Sequence, residues 1–154
     1  MKNRYKVFLS LTILYALFIF FLSSESNPGD PIAIFEIGIF RSIRHYMESS
    51  DLKFILYPLG IFYKYPDKAA HMILYAVFGF LLYHTLKNSP YPAFRDHPII
   101  FAIVIGILYG ISDEFHQSFV PGRTESIRDL TADGIGVALA QIVIYIKQKI
   151  CIRR

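Results

Sequence analysis

Gly106-Ile-Leu-Tyr-Gly-Ile-Ser-Asp-Glu-Phe-His-Gln-Ser-Phe-Val-Pro-Gly-Arg-Thr-Glu-Ser-Ile-Arg-Asp-Leu-Thr-Ala-Asp-Gly-Ile-Gly136 is the stretch on which the reading of this chain turns. The apolar run Ile99–Ile111 leads into it and the run Ile135–Ile146 leads out. Between them stand Asp113, Glu114, His116, Gln117, Asp129 and Asp133. Ionisable groups inside or at the ends of membrane-length segments are costly to place, so they are functional-site candidates by default.

Working outward, four apolar stretches emerge: Val7–Leu22, Ala69–Leu86, Ile99 to about Phe119, and about Leu130 to Ile146. Each approaches the roughly 20 residues that span a hydrocarbon core. The 154-residue chain is 54% hydrophobic and 16% aromatic, with a mean hydropathy of +0.41, too apolar for an ordinary soluble domain. Its length suits one domain over residues 1–154. The predicted fold class is all-α, an integral membrane bundle of four transmembrane helices. The first stretch reads as an uncleaved anchor, because Phe21-Leu22-Ser23-Ser24-Glu25 offers no small-x-small cleavage site. One cysteine, Cys151, cannot form an internal disulfide. The pI near 9.2 does not point to nucleic acid, since the bases are dispersed at span ends rather than gathered in a patch.

Charge sets the expected topology. With both termini and the loop Lys87–Pro98 in the cytoplasm, that side holds nine bases (Lys2, Arg4, Lys6, Lys87, Arg95, Lys147, Lys149, Arg153 and Arg154) against one acid, Asp96. Seven bases and eleven acids remain for the rest of the chain. The positive-inside rule favours this orientation, in a cell membrane crossed several times. In the long outer stretch, Ile32, Phe35, Ile39, Phe40, Ile43 and Met47 recur at helical spacing, which predicts an amphipathic helix in an outer interfacial region over about residues 32–63. Leu52–Tyr63 is too short for a further span and contains Pro58 and Gly60, so it reads as re-entrant or interfacial.

This topology brings the polar residues to one outer face. Asp67, Lys68 and His71 begin the second span, Asp113 to Gln117 end the third, and Arg123, Arg128, Asp129 and Asp133 lie in the loop and the start of the fourth. Helical spacing puts Asp67, His71 and Tyr75 on one face, Tyr109, Asp113, His116 and Gln117 on another, and Asp129, Asp133 and Gly136 on a third. Such faces can meet only with counter-charges or protons present. Lys68, Arg123 and Arg128 are the available cations, and Arg123 has the planar fork that holds a carboxylate or phosphate by two points. Structural readings stand beside these. His71 can serve as an ordinary interhelical hydrogen-bonding group, Asp129 and Asp67 as helix caps, Glu125 and Arg128 as solvated loop charges, and Gly106, Gly110, Gly134 and Gly136 as close-packing positions. No bound metal or other cofactor is expected, for no H-E-x-x-H or paired-cysteine spacing occurs, nor any glycine-rich phosphate loop, nucleophile elbow or nicotinamide fingerprint.

The motifs Asp67-Lys68-Ala69-Ala70-His71 with Tyr75 and Gly79, Ser112-Asp113-Glu114-Phe115-His116-Gln117, Pro121-Gly122-Arg123, and Asp129-x-x-x-Asp133-x-x-Gly136 resemble the VanZ-like family of small membrane proteins. Asp133 stands where that pattern carries Asn or Asp, and Ala140 where it often has a second glycine. The resemblance implies a multi-helix membrane protein, its founding member being linked to low-level resistance to the glycopeptide teicoplanin. It implies no established reaction. Two functions follow as expectations. One is a non-enzymatic cell-envelope role, as a resistance factor or a binder of membrane lipid, a lipid-linked envelope precursor or a glycopeptide, through Asp67, Lys68, His71, Gln117, Arg123, Asp129 and Asp133. The other is an enzyme acting on a lipid-linked headgroup, with Asp113 or Glu114 as acid/base, His116 as its partner and Arg123 holding an anionic group. Transport is disfavoured because the inner halves of the spans are almost wholly apolar, and four spans would need a homo-oligomer to form a path.

Overall fold

A computed structural model of the chain describes residues 2–26, 65–123 and 125–152. Its helices are α1 (Lys2–Ser24), α2 (Pro66–Lys87), α3 (Pro92–Asp96), α4 (Pro98–Gln117) and α5 (Ile127–Ile152). Among the described residues, α1, α2, α4 and α5 are the helices long and apolar enough to cross a membrane. They match the four expected spans and mostly run past the apolar runs, because a helix carries on into flanking polar residues where water satisfies its terminal groups. Prolines lie in the first turns of α2, α3 and α4, where a missing N–H is no loss. The one-turn α3 was not expected within the connection Lys87–Pro98. α4 stops at Gln117 rather than near Phe119, and the chain turns back through Gly122, whose φ of 82° suits glycine. The amphipathic helix expected over about residues 32–63, and the Leu52–Tyr63 segment, lie outside the described residues.

α2 is the hub. α1, α4 and α5 all pack on it, α5 most extensively, and α4 also packs on α5 and α1. Successive spans run antiparallel: Phe8 near the start of α1 stacks on His84 near the end of α2, whereas Ser24 at the end of α1 meets His116 at the end of α4. The buried core is built from Tyr75, Phe78 and Leu82 of α2, Ala102 of α4 and Val137 and Ile144 of α5. Leu14, Leu17 and Phe21 of α1, Ile100 and Leu108 of α4, and Ile142, Val143 and Ile146 of α5 point outward and are exposed. Such an apolar exterior would aggregate in water and is what a lipid-facing surface requires.

Lipid tails are as apolar as leucine, so helices in a bilayer associate through close packing and interhelical hydrogen bonds. Both are present. At Gly136 of α5 a Cβ would collide with the Met72 carbonyl of α2, so glycine is what lets the two backbones touch. Further along the same pair of helices, Gln141 Nε2 donates to the Gly79 carbonyl at 2.9 Å. Thr12 of α1 and Thr85 of α2 share a hydrogen bond of 2.8 Å in the half of the bundle away from His116.

Candidate functional site

The site grows out of the α2–α5 contact. His71 and Asp133 sit a turn and a half inside α2 and α5, roughly 8–9 Å from the helix starts at about 1.5 Å per residue. The close approach at Gly136, one turn past Asp133, brings His71 Nδ1 to 2.9 Å from Asp133 Oδ1. Asp133 is completely buried (0% exposed). α4 completes the arrangement. Its inward face carries Gly110, Asp113, Glu114 and Gln117, and a ring nitrogen of His71 and carboxylate oxygens of Glu114 and Asp133 lie within 4.8 Å of one another. Gly110 keeps α4 close here, since a Cβ on it would stand 3.2 Å from Leu130 Cδ1 and 3.4 Å from Asp133 Oδ2.

Only part of this polar cluster is satisfied internally. Glu114 Oε2 accepts the Ser126 backbone N–H at 2.7 Å, just ahead of α5. Asp113 Oδ2 accepts from Gln117 Nε2 at 3.2 Å. Glu114 Oε1, Asp133 Oδ2 and the Tyr75 hydroxyl are buried and have no hydrogen-bond partner among the described residues, whereas Asp113 also has the Ser23 hydroxyl beside its carboxylate. A buried polar group without a partner costs roughly 1–3 kcal/mol, so two such carboxylate oxygens in one place call for further donors: protons, water, a cation or a ligand. Beside this cluster, Lys68 bridges Asp67 at 2.9 Å and Asp129. Lys68 is thereby taken up by two acids, and among the described residues His71 is the base left beside Glu114 and Asp133.

The same contacts decide between the readings open in the sequence. Asp67 and Asp129 lie within the first turns of α2 and α5 and meet at Lys68; Tyr65 holds the N-cap position of α2, and the Asp67 carboxylate accepts backbone N–H groups of that first turn. On α4 the expected face divides. At 100° per residue, Asp113 and Gln117 point with Gly110 and Glu114 into the site, whereas Tyr109 and His116 turn toward α1. Tyr109 donates its hydroxyl proton to the Ala16 carbonyl at 2.6 Å. His116 Nε2 is 3.0 Å from Ser24 Oγ, with its ring against Phe20. Arg123 also faces α1: its Nε donates to the Glu25 carbonyl and its Nη2 to the Leu22 carbonyl, both at 3.2 Å. The Leu22 carbonyl belongs to the last turn of α1, where the helix itself supplies few donors, and it also accepts the Glu25 N–H at 3.4 Å. The structure thus gathers Asp67, Lys68, His71, Asp113, Glu114, Gln117, Asp129 and Asp133 at one end of the bundle and sets His116 and Arg123 on its α1 flank.

Sequence reasoning passed over Ser23, Ser24 and Ser126. The first two follow the apolar run Val7–Leu22 and form the last turn of α1, and Ser126 contributes a backbone N–H that no side-chain pattern reveals. The available signal was weak: two hydroxyl residues closing an otherwise apolar span.

Four membrane-length helices, three of them pooling acids and a histidine near one end, define a multi-pass membrane protein with a buried, acid-rich polar site. A family model described as VanZ/LLP1 matches residues 7–148. The chain therefore belongs to the VanZ-like family, and the match extends from the motifs of its second half back through the first span. No curated protein and no solved structure matches it.

Proposed function

We propose that this VanZ-like protein is a cell-envelope factor in the cell membrane, with both termini cytoplasmic. In this reading the site faces away from the cytoplasm and binds the headgroup of a membrane lipid or lipid-linked envelope precursor. The orientation is supported by Arg4, Lys6, Lys87, Arg95, Lys147 and Lys149, which lie toward the bundle end opposite the site, as the positive-inside rule requires of a cytoplasmic face. The observation that carries the binding reading is the pair of buried oxygens of Glu114 and Asp133 beside His71 that have no partner among the described residues. A pocket rich in acceptors selects a ligand rich in donors, such as the hydroxyls of a sugar or the ammonium of an amine-bearing headgroup. Asp67, Lys68, Gln117 and Asp129 position the rim. Arg123 and His116 serve the site by docking α1 beside it.

Altered susceptibility to teicoplanin-type glycopeptides is the phenotype this role predicts, since the family's founding member is linked to resistance to teicoplanin. The experiment is a deletion strain complemented with wild type or with Glu114→Gln, read by lipid profile and teicoplanin susceptibility at matched membrane abundance. Wild type restores both and Glu114→Gln restores neither. Full complementation by Glu114→Gln refutes the site, and reporter fusions that put the Pro121 turn in the cytosol refute the orientation.

A second reading, an acid/base enzyme on such a headgroup, is favoured by the 2.9 Å His71–Asp133 pair beside the unpartnered Glu114 oxygen. An imidazole oriented by a carboxylate is the usual device for moving a proton. Here His71 stands where the sequence suggested His116, with Asp113 and Glu114 as the neighbouring acids. An enzyme would leave a specific lipid unmodified in the deletion strain, whereas a binder would not.

A further inference from the structure

The charge balance of the site leads beyond headgroup binding. Lys68 is occupied by Asp67 and Asp129. Among the described residues, the fully buried Asp133 and the buried Glu114 have His71 as their neighbouring base, while Asp113 is met by Gln117, Ser23 and His116 as well. Glu114 and Asp133 each keep an oxygen with no hydrogen-bond partner among the described residues. Desolvated carboxylates brought together without counter-charge are strongly unfavourable. We infer that His71, Glu114 and Asp133 form a binding site for a first-row divalent cation such as Zn2+ or Mn2+.

Three observations support the site. Its ligand atoms come from three different helices yet lie within 4.8 Å of one another. A tetrahedral site with bonds of about 2.0–2.2 Å needs ligand atoms roughly 3.4 Å apart, so a cation would replace the 2.9 Å His71–Asp133 hydrogen bond, that pair opening slightly while Glu114 moves in by about 1 Å. Asp133 Oδ2 lies beside Gly110 of α4, fully buried and without a hydrogen-bond partner among the described residues. Finally, one imidazole nitrogen among carboxylate oxygens is a borderline donor set, which suits first-row cations better than Ca2+ or Mg2+, whose ligands are normally all oxygen. Three protein ligands leave positions open, and a cation there turns an acid-rich pocket into one that also accepts an anionic oxygen of a headgroup. The spacing of these ligands across three helices is why no linear metal motif marks them.

The test uses the full chain in detergent, stripped with chelator, in a Cys151→Ala background that removes the exposed thiol, and titrated with Zn2+ alone. One saturable site per protomer is expected. Glu114→Gln and Asp133→Asn each weaken it by on the order of tenfold or more, and the loop variant Glu125→Gln leaves it unchanged. Co2+ titration of the protein without site substitutions gives a second readout independent of variant folding, through absorption bands characteristic of a low-coordinate nitrogen–oxygen site. Lack of saturable binding, binding unaffected by Glu114→Gln and Asp133→Asn, or a Co2+ spectrum identical to the hydrated ion overturns the inference. Because these measurements contain no lipid, their failure leaves the headgroup reading standing, and failure of complementation in cells does not touch them.

Discussion

Replacing Gly136 with alanine, and Gly134 with alanine as its companion, puts the basis of the site to the most direct trial. The two positions lie two residues apart on α5 and gain the same methyl group. A Cβ at Gly134 meets nothing within 4 Å. At Gly136 it runs into the Met72 carbonyl oxygen, with the carbonyl carbon at 3.0 Å and the Ala76 nitrogen at 3.1 Å, all of them backbone. Carbon contacts settle at about 3.5–4.0 Å, so α2 and α5 must part by roughly 0.5–1 Å. The His71–Asp133 pair, now 2.9 Å, then passes about 3.5 Å and ceases to be a hydrogen bond. Overpacking of this kind costs about 1–3 kcal/mol. Both variants also gain helix propensity of about 1 kcal/mol from Gly→Ala, and that gain cancels in their difference. Scaled as for a domain of 150–250 residues, at about 2–4 °C per kcal/mol, Gly136→Ala melts roughly 2–12 °C below Gly134→Ala in thermal unfolding of the detergent-solubilised protein. Equal melting temperatures would refute the claim that backbone contact at Gly136 holds the site together.

Two further outcomes follow from the same contacts. His71→Ala leaves Asp133 fully buried without its partner and destabilises the bundle by about 3–5 kcal/mol; the double variant His71→Ala/Asp133→Ala is less destabilised than His71→Ala alone, as thermal unfolding in detergent will measure. Arg123→Ala releases the Leu22 and Glu25 carbonyls and loosens the end of α1 by about 1–3 kcal/mol. It is read as faster proteolysis next to Glu25, and Arg123→Lys does not fully restore protection, because an ammonium lacks the fork that reaches both carbonyls.

Much of this molecule was legible before any coordinates, and the reason is energetic. A bilayer demands about 20 apolar residues per span and penalises each charge placed there. Span count, helix class and the end of the bundle that carries the acids are therefore written directly into Val7–Leu22, Ala69–Leu86, Ile99–Phe119 and Leu130–Ile146. Periodicity likewise put His71 and Asp133 on inward faces, because angle about a helix axis is a property of the helix itself. What a side chain meets is a property of the neighbour. Arg123 has the chemistry to hold an anion and spends two of its donors on the carbonyls of α1. His116 lies in the densest polar motif and goes to Ser24, and Glu114 takes the inward place instead.

The docking of α1 explains most of these differences. Its sequence is apolar nearly all the way round, so nothing in it announces which flank will face α4 or that Ser23 and Ser24 will close its last turn. The sequence by itself determined a four-span helical bundle with its ionisable groups pooled at one end, since length, hydropathy and charge act residue by residue. The tertiary structure alone decided which of those groups share a pocket, since that depends on backbone contact at Gly136 and on side chains packed against Gly110, residues of different helices that are joined to their neighbours only when the bundle packs.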